Sequence, residues 1–303
     1  MRLAAVSIDL DEIHHYYAIH GLPPAERAAH MVYDRAVPRA SDWAEGLGIP
    51  LTFFIVGRDL ERPENAETSR ALHARGYELA NHSFSHHYDL TRRDRAEMAR
   101  EVAGGMDALT RVTGTRPLGF RAPGYLMNDE LVGVLSSLGV GYDSSVFSSP
   151  AYYAAKAAKL LTLKLRGRPS QSMRGSSKVL LAPTHPYRLG TPYWKAGGGL
   201  PELPIQVTPG TRLPYIGTSL VLAGADGARL LTRTMMLERF VNLELHGMDF
   251  LGADDELADL LPHQPDARLA RNAKLGALSA AVELLRKMGF SFVRLDEAAR
   301  TVS

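Results

Sequence analysis

Tyr77-Glu78-Leu79-Ala80-Asn81-His82-Ser83-Phe84-Ser85-His86 carries a short strand-like run straight into two histidines four residues apart. At that spacing a helical turn would set both imidazoles on one face, and neutral imidazole is the commonest metal-ligand side chain. The pair falls where a strand leaves a sheet. A third ligand must come from elsewhere, and a carboxylate suits the role. The competing reading is two surface histidines in a polar loop, because H-x-x-x-H alone is a frequent chance pattern.

A carboxylate is available at the N-terminus. Leu3 to Ile8 reads as a buried strand that delivers Asp9-Leu10-Asp11-Glu12 at its end. Strand alternation places Asp9 and Asp11 on the same side, where a cation offsets their repulsion. The competing reading is a solvated acidic loop.

The same grammar, an apolar run followed by a polar group, recurs along the chain. Strands are expected at Leu51 to Val56, Leu118 to Phe120, Val140 to Tyr142, Phe240 to Leu245 and Phe290 to Leu295. Helices are expected at Pro24 to Leu47, Asn65 to Arg75, Asp94 to Val112 and Asn128 to Leu138. A last amphipathic helix carries Leu275, Leu278, Val282, Leu285 and Met288. Strand–helix alternation of this length predicts a parallel sheet with barrel-like closure. Asp9 and Asp11, His82 and His86, Arg121, Asp143 and His246 all follow an expected strand directly. That is the face on which (β/α) barrels build their active sites.

Composition narrows the chemistry. The 303 residues include no cysteine, so any metal must be held by His, Asp or Glu. Lys and Arg number 35 against 33 acidic residues, and a net charge of +2 gives no basic face for nucleic acid. The first residues reach Asp9 too early for a signal peptide, and no apolar run approaches the roughly 20 residues that span a bilayer. A cytoplasmic protein is expected.

Five ordered motifs carry a resemblance: Ser7-Ile8-Asp9-Leu10-Asp11, His82-Ser83-x-x-His86, Arg121-Ala122-Pro123-Gly124, Tyr142-Asp143-Ser144-Ser145 and Leu245-His246. Together they resemble the polysaccharide deacetylase family, also called NodB-homology or carbohydrate esterase 4, over roughly residues 3 to 146 and 240 to 298. The resemblance implies a deformed (β/α) barrel and one divalent metal, usually zinc, held by Asp11, His82 and His86. It implies Asp9 as general base, Arg121 holding Asp9 ionised, and His246 as general acid. Pro123 and Gly124 would shape a turn whose backbone N–H faces an oxyanion, with Tyr125 and Asp143 beside the substrate. Many members have adjacent aspartates in the first motif. Here Leu10 intervenes, which leaves Glu12 as an alternative ligand to Asp11. The fourth motif lacks a Trp found in many members, and this puts a catalytic part for Asp143 in doubt.

One domain spanning 1–303 is expected, with an insertion at about 148–220 that caps the metal face. Within it, Tyr152 to Arg166 is helix-prone, rich in leucine, and carries Lys156, Lys159, Lys164 and Arg166. A basic, leucine-rich helix is compatible with peripheral membrane contact. An ordinary packing helix is the plainer reading. The expected activity is metal-dependent removal of an N-acyl group from an amino sugar, polysaccharide precursor or lipid-linked sugar. The alternatives are a deformylase or another non-peptide amide hydrolase of the same fold, and a barrel that binds glycans without turning them over.

Overall fold

Leu3 to Ile8 is buried along its whole length, as befits a strand covered on both faces. It forms the centre of β1 (Arg2–Asp9). The structure is a computed structural model that describes residues 1–23 and 28–302. After β1 come α1 (Ile13–His20), α2 (Val37–Leu47), β2 (Thr52–Ile55), α3 (Pro63–Ala74), β3 (Glu78–Asn81), α4 (Arg95–Thr113), β4 (Gly119–Phe120), α5 (Asp129–Ser137) and β5 (Tyr142–Asp143). The second half contains α6 (Pro150–Leu165), β6 (Tyr187–Leu189), β7 (Ala196–Glu202), α7 (Gly217–Arg233), β8 (Phe240–His246), α8 (Arg271–Lys287), β9 (Phe290–Phe292) and α9 (Leu295–Ala299).

The strands form one sheet in the order β6-β7-β5-β4-β3-β2-β1-β8, parallel except for the β6–β7 pair. One edge of β1 pairs with β8 from Leu3 to Asp9. Its other edge is shared by β9 at Arg2–Ala4 and β2 at Ser7–Asp9. The sheet curls, and an extended segment, 203–206, spans the gap between its ends. The Leu203 amide donates to Asp143 O at 2.9 Å, and the Gln206 amide to Asn242 O on β8 at 3.1 Å. The deformed (β/α) barrel expected from the motifs is what forms, with its core under α2, α7 and α8.

Three expectations change. Residues 24–27 of the helix expected over Pro24 to Leu47 lie outside the described residues, and α2 proper begins only at Val37, after a π-helical turn at Val32–Ala36. The helix α1 was not expected, because its sequence of histidines and tyrosines lacks a clear apolar stripe. Part of the expected insertion also belongs to the sheet, since β7 pairs with β5 and β6 with β7.

The fourth correction concerns the histidines. Residues 82–86 are a loop and not a helical turn, with Ser83 and His86 at φ of 63° and 54°. A notch of small residues on α4 seats this loop. A Cβ on Gly104 would lie 3.2 Å from Phe84 Cβ, and one on Gly105 would lie 2.0 Å from Asn81 Oδ1. The Phe84 amide donates to Glu101 O at 2.9 Å, and the Asn81 side-chain amide to Val102 O at 2.9 Å. The substitution Gly105→Ala therefore pushes Asn81 out of place, one residue before His82. Urea denaturation should show a loss of about 1–3 kcal/mol, the usual scale of overpacking, and metal affinity should fall with it. Unchanged stability would mean that α4 does not position the loop.

Candidate active site

Parallel pairing in register decides which side chains meet. Asp9 and His246 are direct partners across β1 and β8, each the last residue of its strand. Asn81 pairs with Phe120, and the Arg121 amide donates to Asn81 O at 3.0 Å. The ends of β1, β3, β4 and β8 thus carry Asp9, His82, Arg121 and His246 to one place.

Asp11 Oδ1 lies 3.2 Å from both His82 Nε2 and His86 Nε2. All three residues are buried, and their ligand atoms lie within 4.8 Å of one another. A tetrahedral ion with bonds of roughly 2.0–2.2 Å sets its ligands about 3.4 Å apart. Asp11 Oδ1, both His86 ring nitrogens and Asp9 Oδ2 are buried without a hydrogen-bond partner among the described residues. Buried polar atoms left in this way are costly unless a cation takes them up. His82 Nδ1 meets Arg121 O at 2.8 Å, which fixes the tautomer and leaves Nε2 for a ligand. One carboxylate and two imidazoles fit a divalent ion such as Zn2+.

Glu12 does not join them. Its carboxylate accepts from the amides of Ile13, Val32 and Tyr33 at 3.2–3.3 Å, capping α1 and the turn that follows. The ligand alternative at Glu12 falls on that geometry.

Arg121 is fully buried, and its guanidinium lies 4.0 Å above the Phe54 ring. It donates to Asp9 Oδ1 at 2.5 Å, to Ser7 Oγ at 3.0 Å, and to Ser144 O and Oγ at 2.8 Å each. Burial raises the pKa of Asp9, and Arg121 opposes the rise without cancelling it. Burial also works against the charged form of Asp11, but His86 and His82 outweigh it and hold that carboxyl well below the ordinary range. For His246, burial depresses the pKa, but Glu244 outweighs it, and the ring ends well above its ordinary value. Glu244 Oε1 lies 2.7 Å from His246 Nδ1, and Tyr125 donates its hydroxyl to the same oxygen at 3.1 Å.

The Pro123–Tyr125 turn lines the cleft with Gly124 and Tyr125, whose φ values are 61° and 63°. The Tyr125 amide donates to Ala122 O at 2.9 Å, so it is not the donor facing a substrate oxygen. Asp143 sits behind the cleft. It accepts from Ser145 Oγ at 2.7 Å, and that hydroxyl accepts from the Ala122 amide at 2.8 Å. Asp143 therefore props the Arg121–Gly124 segment from below and does not touch the space a substrate would fill.

Sequence reading missed Glu244, although Asn242, Glu244 and His246 alternate along one face of an otherwise apolar strand. It also missed Tyr16 and Tyr88, which line the cleft, and His15, whose ring lies 4.2 Å from that of His86. No local signal marks those three. The cleft encloses about 390 Å³ and is covered by α6 and by Ser172, with Ile216 and Thr218 on its far wall.

Carboxylates and imidazoles gathered at the strand ends of a barrel form a group that could hold a metal ion. Residues 29–142 match the family model described as polysaccharide deacetylase. A peptidoglycan deacetylase-like protein of Gibberella zeae is 26% identical over 259 residues, covering 84% of this chain and 71% of that protein. A structure from Mycobacterium smegmatis described as a polysaccharide deacetylase superposes with a TM-score of 0.61 at 20% identity, covering 99% of this chain and 90% of that one. Puue allantoinase superposes with a TM-score of 0.63 at 17% identity, covering 98% and 89%. Over residues 29–142 the chain is thus similar to the polysaccharide deacetylases, the family its five motifs resemble, and its fold is the one these neighbours share. Asp9, Asp11 and His246 lie outside the matched stretch and reach the site through β1 and β8.

Two substitutions separate the neighbouring carboxylates. Asp11→Ala should lose stoichiometric metal by elemental analysis. Glu12→Ala should keep it while losing about 0.5–2 kcal/mol of stability, the scale of a lost helix cap. Metal lost from Glu12→Ala and retained in Asp11→Ala would reverse the assignment.

Proposed function

We propose that this protein hydrolyses the N-acyl amide of a small amino sugar or related compound, with one divalent ion, Zn2+ by its donor set, held by Asp11, His82 and His86. The observation that carries the reading is Asp9. One of its oxygens is tied to Arg121, and the other, Oδ2, has no hydrogen-bond partner among the described residues and lies 3.9 Å from His82 Nε2. A divalent ion there supplies Lewis acidity toward a carbonyl oxygen and a water.

The chain's own groups then divide the proton work. Asp9 Oδ2 accepts a proton from the water whose oxygen attacks the acyl carbon. Arg121 holds that carboxylate in place through its other oxygen. The Glu244–Nδ1 contact turns His246 Nε2 toward Tyr125 and Asp11, at 3.4 and 3.9 Å. From there His246 protonates the leaving nitrogen as the carbon–nitrogen bond breaks, giving a carboxylic acid and an amine. Acid and base stand on adjacent strands, one on each side of the bond to be cut.

A second reading, hydrolysis of a small non-sugar amide, is favoured by the modest volume of the cleft, about 390 Å³, which matches a compact molecule. Zinc-reconstituted protein assayed on N-acetylglucosamine, a chito-oligosaccharide and a cyclic amide separates the two readings. No turnover of any of them, with metal bound, would favour a glycan-binding barrel. Asp9→Asn should lower kcat by roughly 10²–10⁴-fold while the metal content stays at wild type. Glu244→Gln removes the anion that lifts the pKa of His246. The acid then loses its proton at lower pH, and the basic limb of the pH–rate profile should move acidward by roughly one to three units. An unmoved limb would take the acid role away from His246.

A further inference from the structure

One ammonium group enters the cleft from the cap, and the hydrolysis described above does not use it. Lys156 on α6 lines the same cavity as Asp9, Asp11 and His246. Its Nζ lies 3.4 Å from Gly124 O, on the turn that follows Arg121, and 5.7 Å from the centre of the Tyr152 ring. Among the described residues no carboxylate pairs with it. The carboxylates of the cavity face other groups, Asp9 pairing with Arg121 through Oδ1 and Asp11 lying 3.2 Å from two imidazoles. The other helix cations point elsewhere. Lys159 donates to His263 O at 3.4 Å, and Lys164 does not line the cavity.

A partly buried cation without a counter-ion is unfavourably placed, and a bound anion offsets that penalty. Burial holds the pKa of Lys156 down to about 8, so the group remains mostly charged at neutral pH. The walls around it are aromatic and aliphatic, with Tyr88, Tyr152 and Ile216 offering no competing charge.

We infer that Lys156 anchors an anionic group, a carboxylate or a phosphate, carried by the substrate beside its N-acyl amide. The substrate class is then a small, negatively charged N-acyl compound and not a neutral polymer. This inference rests on the proposed hydrolysis, and the test separates the two.

Zinc-loaded wild type, Lys156→Met and Lys156→Arg are compared on two sets of probes, with metal content measured in each variant. Calorimetry follows binding of glucosamine and glucosamine 6-phosphate, which need no turnover. Kinetics follow N-acetylglucosamine, its 6-phosphate and its 3-O-lactyl ether, so that phosphate and carboxylate are distinguished. Wild type should prefer a charged probe over its neutral partner by about tenfold or more, the scale of one charge-assisted hydrogen bond. In Lys156→Met that ratio should collapse toward one, and Lys156→Arg should restore most of it. A ratio that Lys156→Met leaves intact, no preference in wild type, or no binding of any probe overturns the inference. Hydrolysis of all three acylated probes with no charge preference would keep the hydrolase reading and remove the anion site. Lysine-dependent binding of glucosamine 6-phosphate without hydrolysis would do the reverse.

Discussion

The ion pair between Arg121 and Asp9 is the constraint on which the rest of this structure depends. Both side chains are buried, and an arginine taken out of water is tolerated only where each of its nitrogens finds an acceptor. Asp9, Ser7 and the two oxygens of Ser144 meet them, and the Phe54 face covers the guanidinium plane. The pair thereby locks the end of β1 to the segments that follow β4 and β5. Removing either partner of such a pair leaves the other charge stranded, at about 3–5 kcal/mol. Asp9 is thus held by the fold and needed by it, which is how a reactive carboxylate comes to be kept in one orientation.

From that fixed point the site is built by register. His246 stands opposite Asp9 because β8 pairs in parallel with β1, and Glu244 reaches it because residues two apart share a face. Asp9 and His246 sit in different fields. Asp9 faces Arg121 with one oxygen, whereas His246 is held protonated by Glu244. Separate environments of this kind suit the division of proton work in the proposed reaction. His82 and His86 sit in a loop that α4 shapes through its glycine notch, so their placement depends on packing well outside the cleft.

The cap bounds the cleft in size and brings one cation to its wall. Helix α6 crosses the mouth, brings Tyr152 and Lys156 to the wall, and leaves a cleft of bounded volume. Its leucines divide between the two sides. Leu163 is buried, while Leu161 and Leu165 are exposed, so the helix is not the clean amphipathic stripe of an interfacial anchor. No helix among the described residues is long and apolar enough to cross a membrane.

Much of the fold was legible along the chain, because buried parallel strands are short apolar runs and their C-terminal polar residues mark the working face. That local pattern was enough to nominate Asp9, Asp11, His82, His86, Arg121 and His246, and the structure brings all six together. The sequence could not say that His82 and His86 meet through a loop with two positive-φ residues, since spacing alone is equally consistent with a helical turn. Nor could it separate Asp11 from Glu12, which are adjacent in the chain yet turned to different partners by the start of α1. Asp143, nominated from its motif, is carried behind the cleft by the pairing of β5 with β7. Residue types and their order along the chain thus determined the barrel class and the chemistry on offer. The meeting of Asp11 with His82 and His86, the Glu244–His246 partnership and the position of Lys156 were decided by the tertiary structure, because each depends on which strands and helices lie side by side across long stretches of sequence.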